Sequence, residues 1–141
     1  MSAELKAKIK RVWEEAWNQG KLDGLDEIVA PDYVHHRPPF ADFEGLETFK
    51  NYITETRASY PDVKLTLDEL IVEGDWSAAL WTWGGTQSGV SPTSGAPPTN
   101  KYVEFRGCSM VRWEGGKEVE EWELGNYLGL MEQLGVVTKF W

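Results

Sequence analysis

Basic residues are scarce in this chain, histidine is scarcer, and cysteine occurs once. Fourteen Lys and Arg face 23 Asp and Glu, a formal net charge of −9. Such a surface repels phosphate backbones and anionic headgroups, which argues against nucleic acid and acidic membranes as partners. Lys6, Lys8, Lys10 and Arg11 cluster near the start, but Glu4, Glu14 and Glu15 dilute them into a solvated helix face. The lone Cys108 excludes an internal disulfide and a thiolate metal site, and with no neighbouring histidine it makes a poor nucleophile. No apolar run approaches membrane-spanning length. The opening MSAELKAKIK carries charge with no apolar stretch behind it, so no signal peptide is read and a soluble, cytoplasmic protein is expected.

Tryptophan, in contrast, is abundant, with eight residues. Each ring brings a large apolar area that needs cover, so several must line a core, a cavity or an interface. The length suits one domain, residues 1–141, with a single core. Leu5, Ile9, Val12, Trp13, Ala16 and Trp17 recur at helical spacing, with Ser2 able to cap the start and Gly20 able to end the helix. Leu22, Leu25, Ile28 and Val29 suggest a short second helix closed by Pro31. DYVHH reads as a short extended piece, cut off by RPP. Leu46, Phe49, Ile53 and Tyr60 mark a third helix ended by Pro61. Then the period changes to two. Val63, Leu65 and Leu67 alternate with polar residues, and EGD turns into WSAALWTWGGT. A loop, QSGVSPTSGAPPTN, leads to the long strand KYVEFRGCSMVRW, and EGGK turns it into EVEEWEL. A last helix carries Leu128, Met131 and Leu134 and stops at Gly135. Helices first and hairpin-linked strands after them predict an α+β fold. Its N-terminal helices would pack on the concave face of a curved, cone-shaped antiparallel sheet, with a short C-terminal helix.

APDYVHHRP, GLETFKNYITETRASYPD, EGDWSAALWTWGGTQSG, PPTNKYVEFRG and GGKEVEEWELGNYLGLMEQLGVV fall in the order and spacing of SnoaL-like proteins. The chain thus resembles the SnoaL-like polyketide cyclases of the nuclear-transport-factor-2-like (NTF2-like) superfamily over nearly its whole length. The resemblance implies a cone-shaped pocket for a hydrophobic small molecule, and a homodimer. It also implies ring closure by intramolecular aldol chemistry with no metal and no organic cofactor. Relatives include isomerases, dehydratases and epoxide hydrolases, so fold alone constrains the reaction weakly.

Several residues are candidates for the chemistry. Cyclases of the family carry an Asp just after the strand corresponding to EEW, and here that position reads Asn126. An amide cannot take a proton but can donate to a carbonyl or enolate oxygen. Asn is also a strong helix N-cap, and the two roles are compatible. His35 and His36 are adjacent on an expected strand, so they point to opposite faces and cannot easily share a metal. The resemblance favours His36 as the inward one, either a proton carrier or a histidine bonded to a backbone carbonyl. Gln87 takes the place where the family often has His. Asp68, Glu69, Glu104 and Tyr102 are further proton carriers if one of them faces inward. Trp122, Trp81, Trp83, Phe40, Phe105 and Met110 are candidate pocket walls, or else ordinary core and interface residues. Arg106 and Arg112 share a strand face with Tyr102, Glu104, Cys108 and Met110, a mixture that reads as outward. FADFEG and the QSGVSPTSGAPPTN loop are candidate lids. Three functions fit: a cofactor-free cyclase or isomerase acting on an apolar carbonyl compound, a non-catalytic carrier of a hydrophobic molecule, and a dimeric interaction protein with a filled cone.

Overall fold

In the computed structural model, which describes residues 3–92 and 95–138, the first apolar stripe folds as expected. Helix α1 (Ala3–Gln19) buries Ile9, Val12, Trp13, Ala16 and Trp17 on one face. The proposed Ser2 cap lies outside the described residues. Next come α2 (Leu25–Ile28), β1 (Val29–Arg37), β2 (Phe40–Glu44) and α3 (Leu46–Ser59). After them stand β3 (Lys64–Glu73), β4 (Trp76–Thr86), β5 (Tyr102–Glu114), β6 (Lys117–Gly125) and α4 (Tyr127–Leu134). The six strands form one curved, unclosed sheet in the order β2-β1-β6-β5-β4-β3, and the fold is α+β as the sequence predicts.

Two local expectations fail. Pro31 does not close α2, because β1 begins at Val29 and runs through the proline. The β1–β6 register is irregular between Val29 and Val34, where a residue without an N–H breaks no ladder bond. FADFEG is not a free lid: residues 40–44 are the edge strand β2, paired antiparallel to β1 through Val34↔Glu44, His35↔Phe43 and Arg37↔Phe40. One pairing also departs from a purely antiparallel sheet, since β1 runs parallel to β6.

The β5–β6 hairpin decides which residues face inward. Gly115 and Gly116 both have positive φ, 58° and 77°, which suits a two-residue turn whose twist matches that of the strands. The turn pairs Glu114 with Lys117 and Trp113 with Glu118, and a bulge between Trp113 and Arg112 then sets Arg112 opposite Glu120, Met110 opposite Trp122 and Cys108 opposite Leu124. The residues of these last three pairs form the outer face. Val103, Phe105, Ser109, Val111 and Trp113 of β5 form the inner one and are buried. Gly107 and Gly125 pair across the strands, and a Cβ on Gly107 would stand 2.4 Å from the Trp81 ring, so the ring lies where a side chain would be. Among the described residues, no helix is long and apolar enough to cross a membrane.

Candidate functional site

Helices α1 and α3 do not fill the curve of the sheet. A hollow of about 100 Å³ remains between them and the inner faces of β3–β6. Its walls are largely aromatic: Trp13 and Trp17 from α1, Phe49, Tyr52 and Tyr60 from α3 and just beyond, and Trp81, Trp83 and Phe105 from the sheet. Neighbouring rings meet edge to face, as Trp17 does with Trp83 at 6.3 Å and Tyr60 with Trp83 at 4.9 Å. This arrangement suits rings whose faces are negative and edges positive. Trp81 and Trp113 donate their indole N–H to Ser109 and Ser77, so no indole nitrogen is stranded on the inner sheet face at these positions.

The floor of the hollow is acidic. Glu118, Glu121 and Glu123 of β6 all reach it. Glu121 and Glu123 belong to a chain of side-chain hydrogen bonds that links β1, β6 and α4. Tyr33 donates to Glu121 Oε1 at 2.6 Å and meets His35 Nδ1 at 2.6 Å. His35 Nε2 lies 2.9 Å from Glu123 Oε1, and Tyr127 donates to Glu123 Oε2. With the Tyr33 hydroxyl donating to Glu121, Nδ1 can donate to the phenol oxygen while Nε2 donates to Glu123, an arrangement that favours the protonated ring. Burial alone would lower its pKa, but the Glu121 charge and the bond and charge of Glu123 outweigh burial and the opposing charge of Arg37, and the pKa is raised. Phe43 and Phe49 lie near-parallel to the ring at 4.7 and 5.1 Å between centroids and 5.4 Å from each other, so the three rings pack as one cluster.

Glu118 has a different setting. It is 2% exposed, and Trp13 Nε1 donates to its carboxyl at 3.2 and 3.3 Å. Burial, helped by the Glu121 charge, pushes its pKa well above the ordinary carboxylate value, against the pull of the Trp13 bond. Burial thus favours the neutral form of Glu118, whereas Glu123 is bonded by His35 and by the Tyr127 phenol. Environments that separate two carboxyls in this way fit them for opposite roles in proton transfer.

Of the residues singled out from sequence, Trp81, Trp83 and Phe105 line the hollow. The rest do not. His36 faces outward, between Asp42 at 2.8 Å and Glu120 at 2.6 Å, and stacks on Trp122. His35, on the same face as Tyr33, is the inward histidine. Trp122 lies on the outer face against Trp76 and His36, and Met110 beside it is half exposed. Phe40 packs edge-on against Tyr127 but stands outside the hollow. Asn126 is exposed and caps α4, its side chain accepting from the Gly129 N–H at 3.0 Å. Gln87 is fully buried but clamps its own loop, donating to the Ala96 carbonyl at 2.8 Å and accepting from Thr99 Oγ1 at 2.8 Å. Asp68, Glu69, Glu104 and Tyr102 are exposed, and Arg106 shares the outer face as expected.

The inward acids of β6 were missed because Trp122 and Leu124 look like the core side of that strand. The Gly-Gly turn by itself pairs Glu114 with Lys117 and Trp113 with Glu118. A bulge between Arg112 and Trp113 then shifts the register, so that Glu118 before it and Glu121 and Glu123 after it all face in, and a plain alternation along β6 cannot show that shift. His35 and His36 point to opposite sides of β1, His35 to Glu123 and His36 to Asp42 and Glu120. His35 does have two acidic neighbours, and ligand atoms of His35, Glu121 and Glu123 lie within 4.8 Å of one another. A cation there would have to displace the bonds of His35 to Glu123 and Tyr33.

Helices over a curved, unclosed sheet define an NTF2-like fold, and here it leaves an aromatic hollow with a titratable floor. A family model described as SnoaL-like polyketide cyclase matches residues 7–134. The chain belongs to that family. It is 27% identical over 126 residues to nogalonic acid methyl ester cyclase of Streptomyces nogalater, covering 85% of this chain and 90% of that one. The structure of TsrD from Streptomyces laurentii matches with a TM-score of 0.85 at 28% identity, over 97% of this chain and 99% of the other. AclR of Streptomyces galilaeus, a proposed hydroxylase, matches with a TM-score of 0.79 at 27% identity, over 98% and 100% of the two chains.

Proposed function

We propose that the protein is a cofactor-free cyclase that closes a ring in an aromatic, carbonyl-bearing small molecule by an intramolecular aldol step. The observation that carries this reading is the pair of unlike carboxyls, Glu118 and Glu123, on one floor of an aromatic hollow. Glu123 takes a proton from the carbon beside a carbonyl. The resulting enolate attacks a second carbonyl carbon of the same molecule, forming the C–C bond, and the new alkoxide takes the Glu118 proton. No atom is lost, and a proton passed from Glu123 back to Glu118 resets the pair. His35 does not reach the hollow and acts behind Glu123, holding its carboxylate in place.

The carrier reading leaned on amides at positions 126 and 87. Both amides serve as local clamps away from the hollow, so they do not bear on proton transfer inside it. A hollow of about 100 Å³ is smaller than the roughly 300 Å³ at which pockets for drug-sized ligands begin, so a polycyclic substrate requires the ring walls to swing outward. The test is incubation with nogalonic acid methyl ester, the compound named for the relative, and chromatography of the products. Ring closure by the parent and its loss in Glu123→Gln and Glu118→Gln would support the reading. A ligand that raises the melting temperature yet returns unchanged, with no deuterium uptake at its activated carbon, would replace it with the carrier reading.

We also propose that a second copy of the chain covers the outer sheet face. Leu80, Cys108 and Leu124 stand side by side across β4, β5 and β6, as do Ala78, Met110 and Trp122. Leu80, Met110 and Leu124 are 47%, 50% and 58% exposed. Contiguous apolar area of this kind, rimmed by Arg106, Arg112 and Glu120, fits a self-complementary contact.

A further inference from the structure

The hollow has a second polar end that the proton chemistry does not use. Thr56 and Tyr60 are each 2% exposed, both line the hollow, and neither side-chain hydroxyl has a hydrogen-bond partner. Ser91 lies beside the Tyr60 phenol without meeting it in hydrogen-bond geometry. A helical Thr ordinarily turns its hydroxyl back to the carbonyl of the preceding turn. Thr56 does not. A buried hydroxyl without a partner destabilises a fold, and two of them four residues apart, on one side of the same chain segment, call for a reason.

Their distance from the acidic floor follows from α3. Phe49, near the start of that helix, stacks on His35 at 5.1 Å. Thr56 stands seven residues further on, about 10 Å along the axis at 1.5 Å per residue, and Tyr60 lies one turn beyond. The wall between is aromatic, formed by Trp17, Tyr52 and Trp83. The far end is closed by the loop after β4, whose Ser88 and Gly89 N–H groups bond the Ser59 carbonyl.

We propose that Thr56 and Tyr60 form a binding subsite for a hydrogen-bond-accepting oxygen of the ligand, about 10 Å along α3 from the Phe49 ring that packs on His35. The ligand it selects is a flat molecule about two or three fused rings long, with a carbonyl at one end and a carbonyl, ether or ester oxygen at the other. The assignment rests on the cyclase reading only for which end of the ligand meets the floor.

The test compares two probes, acetylnaphthalene and its methoxy derivative with the ether oxygen at the opposite end of the ring system. Calorimetry measures both against the parent and against the double variant Thr56→Val with Tyr60→Phe, which keeps shape and removes both hydroxyls. The parent should bind the methoxy compound about five-fold more tightly, the usual scale of one hydrogen bond. The double variant should bind the two compounds alike. It should also melt no lower than the parent without ligand, because the lost hydroxyls had no partners. A preference that survives the double variant, no binding of either probe to the parent, or a lower melting temperature of the free variant would each overturn the subsite. Deuterium uptake at the acetyl methyl group tests the cyclase reading separately. If Glu123→Gln leaves uptake unchanged while the methoxy preference holds, the acid–base assignment falls and the subsite stands.

Discussion

His35 Nε2 meets Glu123 Oε1 at 2.9 Å across the parallel β1–β6 pair, with the imidazole almost wholly buried. A cation held this way ties stability to pH. The folded pKa of His35 is raised above 6.5, so its contribution is fully present below about pH 6.5 and is lost as pH rises through the folded value. Glu118, also raised, acts with the same sign, since the folded chain keeps a proton that the unfolded chain releases. The melting temperature should therefore fall as pH rises, from about pH 4.5 through Glu118 and from about pH 6.5 through His35. His35→Gln should destabilise the protein by roughly 3 kcal/mol at pH 6 and flatten that slope, as thermal melts across pH would record.

Glu118→Gln should do the reverse. The amide keeps an acceptor for Trp13 Nε1 and removes a proton held against solution. Stability should rise by on the order of 1–3 kcal/mol at pH 8 and change little at pH 4, while turnover falls. An equal loss of stability at both pH values would mean that Glu118 is a structural residue.

Asn126→Asp should leave stability and activity near the parent, since either residue caps a helix well, whereas Asn126→Ala should cost about 1 kcal/mol. Gly129→Ala tests the same cap from its other side. A Cβ there would stand 2.5 Å from the Asn126 amide and would have to push it away. A large loss of activity in Asn126→Asp without a change in melting would return Asn126 to the site.

Gly107→Ala should lower stability by roughly 1–3 kcal/mol, because the new methyl meets the Trp81 ring and the Gly125 Cα, which lies 2.8 Å away. The shift should be visible in tryptophan fluorescence as well as in the melt.

Met110→Glu combined with Leu124→Lys should convert a sedimenting dimer into a monomer that keeps its far-ultraviolet circular dichroism. If the parent already sediments as a monomer, the outer face has another use.

These variants also show how far the sequence could be read. Periodicity placed α1, α3 and the long strands, because a stripe such as Ile9, Val12, Trp13 and Ala16 has one buried side whatever the protein does. The parity of β4 placed Trp81 and Trp83 together, and both line the hollow. Periodicity failed where polarity is inverted. On β6 the acids face in and Trp122 and Leu124 face out, the opposite of an ordinary amphipathic strand. The same inversion set His36 outward and His35 inward. An acidic floor goes against burial preferences, so a rule based on burial reads it backwards.

The strand that carries this floor lies in the middle of the sheet but comes near the end of the chain. Tyr33 and Glu121, which share a proton inside, are 88 residues apart. While the polypeptide is still being synthesised, the segment up to β5 has a gap beside β1 and no acids to close it. Strand β6 therefore joins β1 to β5 and supplies the acidic floor at the same time, when the last hairpin slides in between its neighbours. A chain lacking β6 would keep the aromatic walls from α1 and α3 and lose all three acids of the floor.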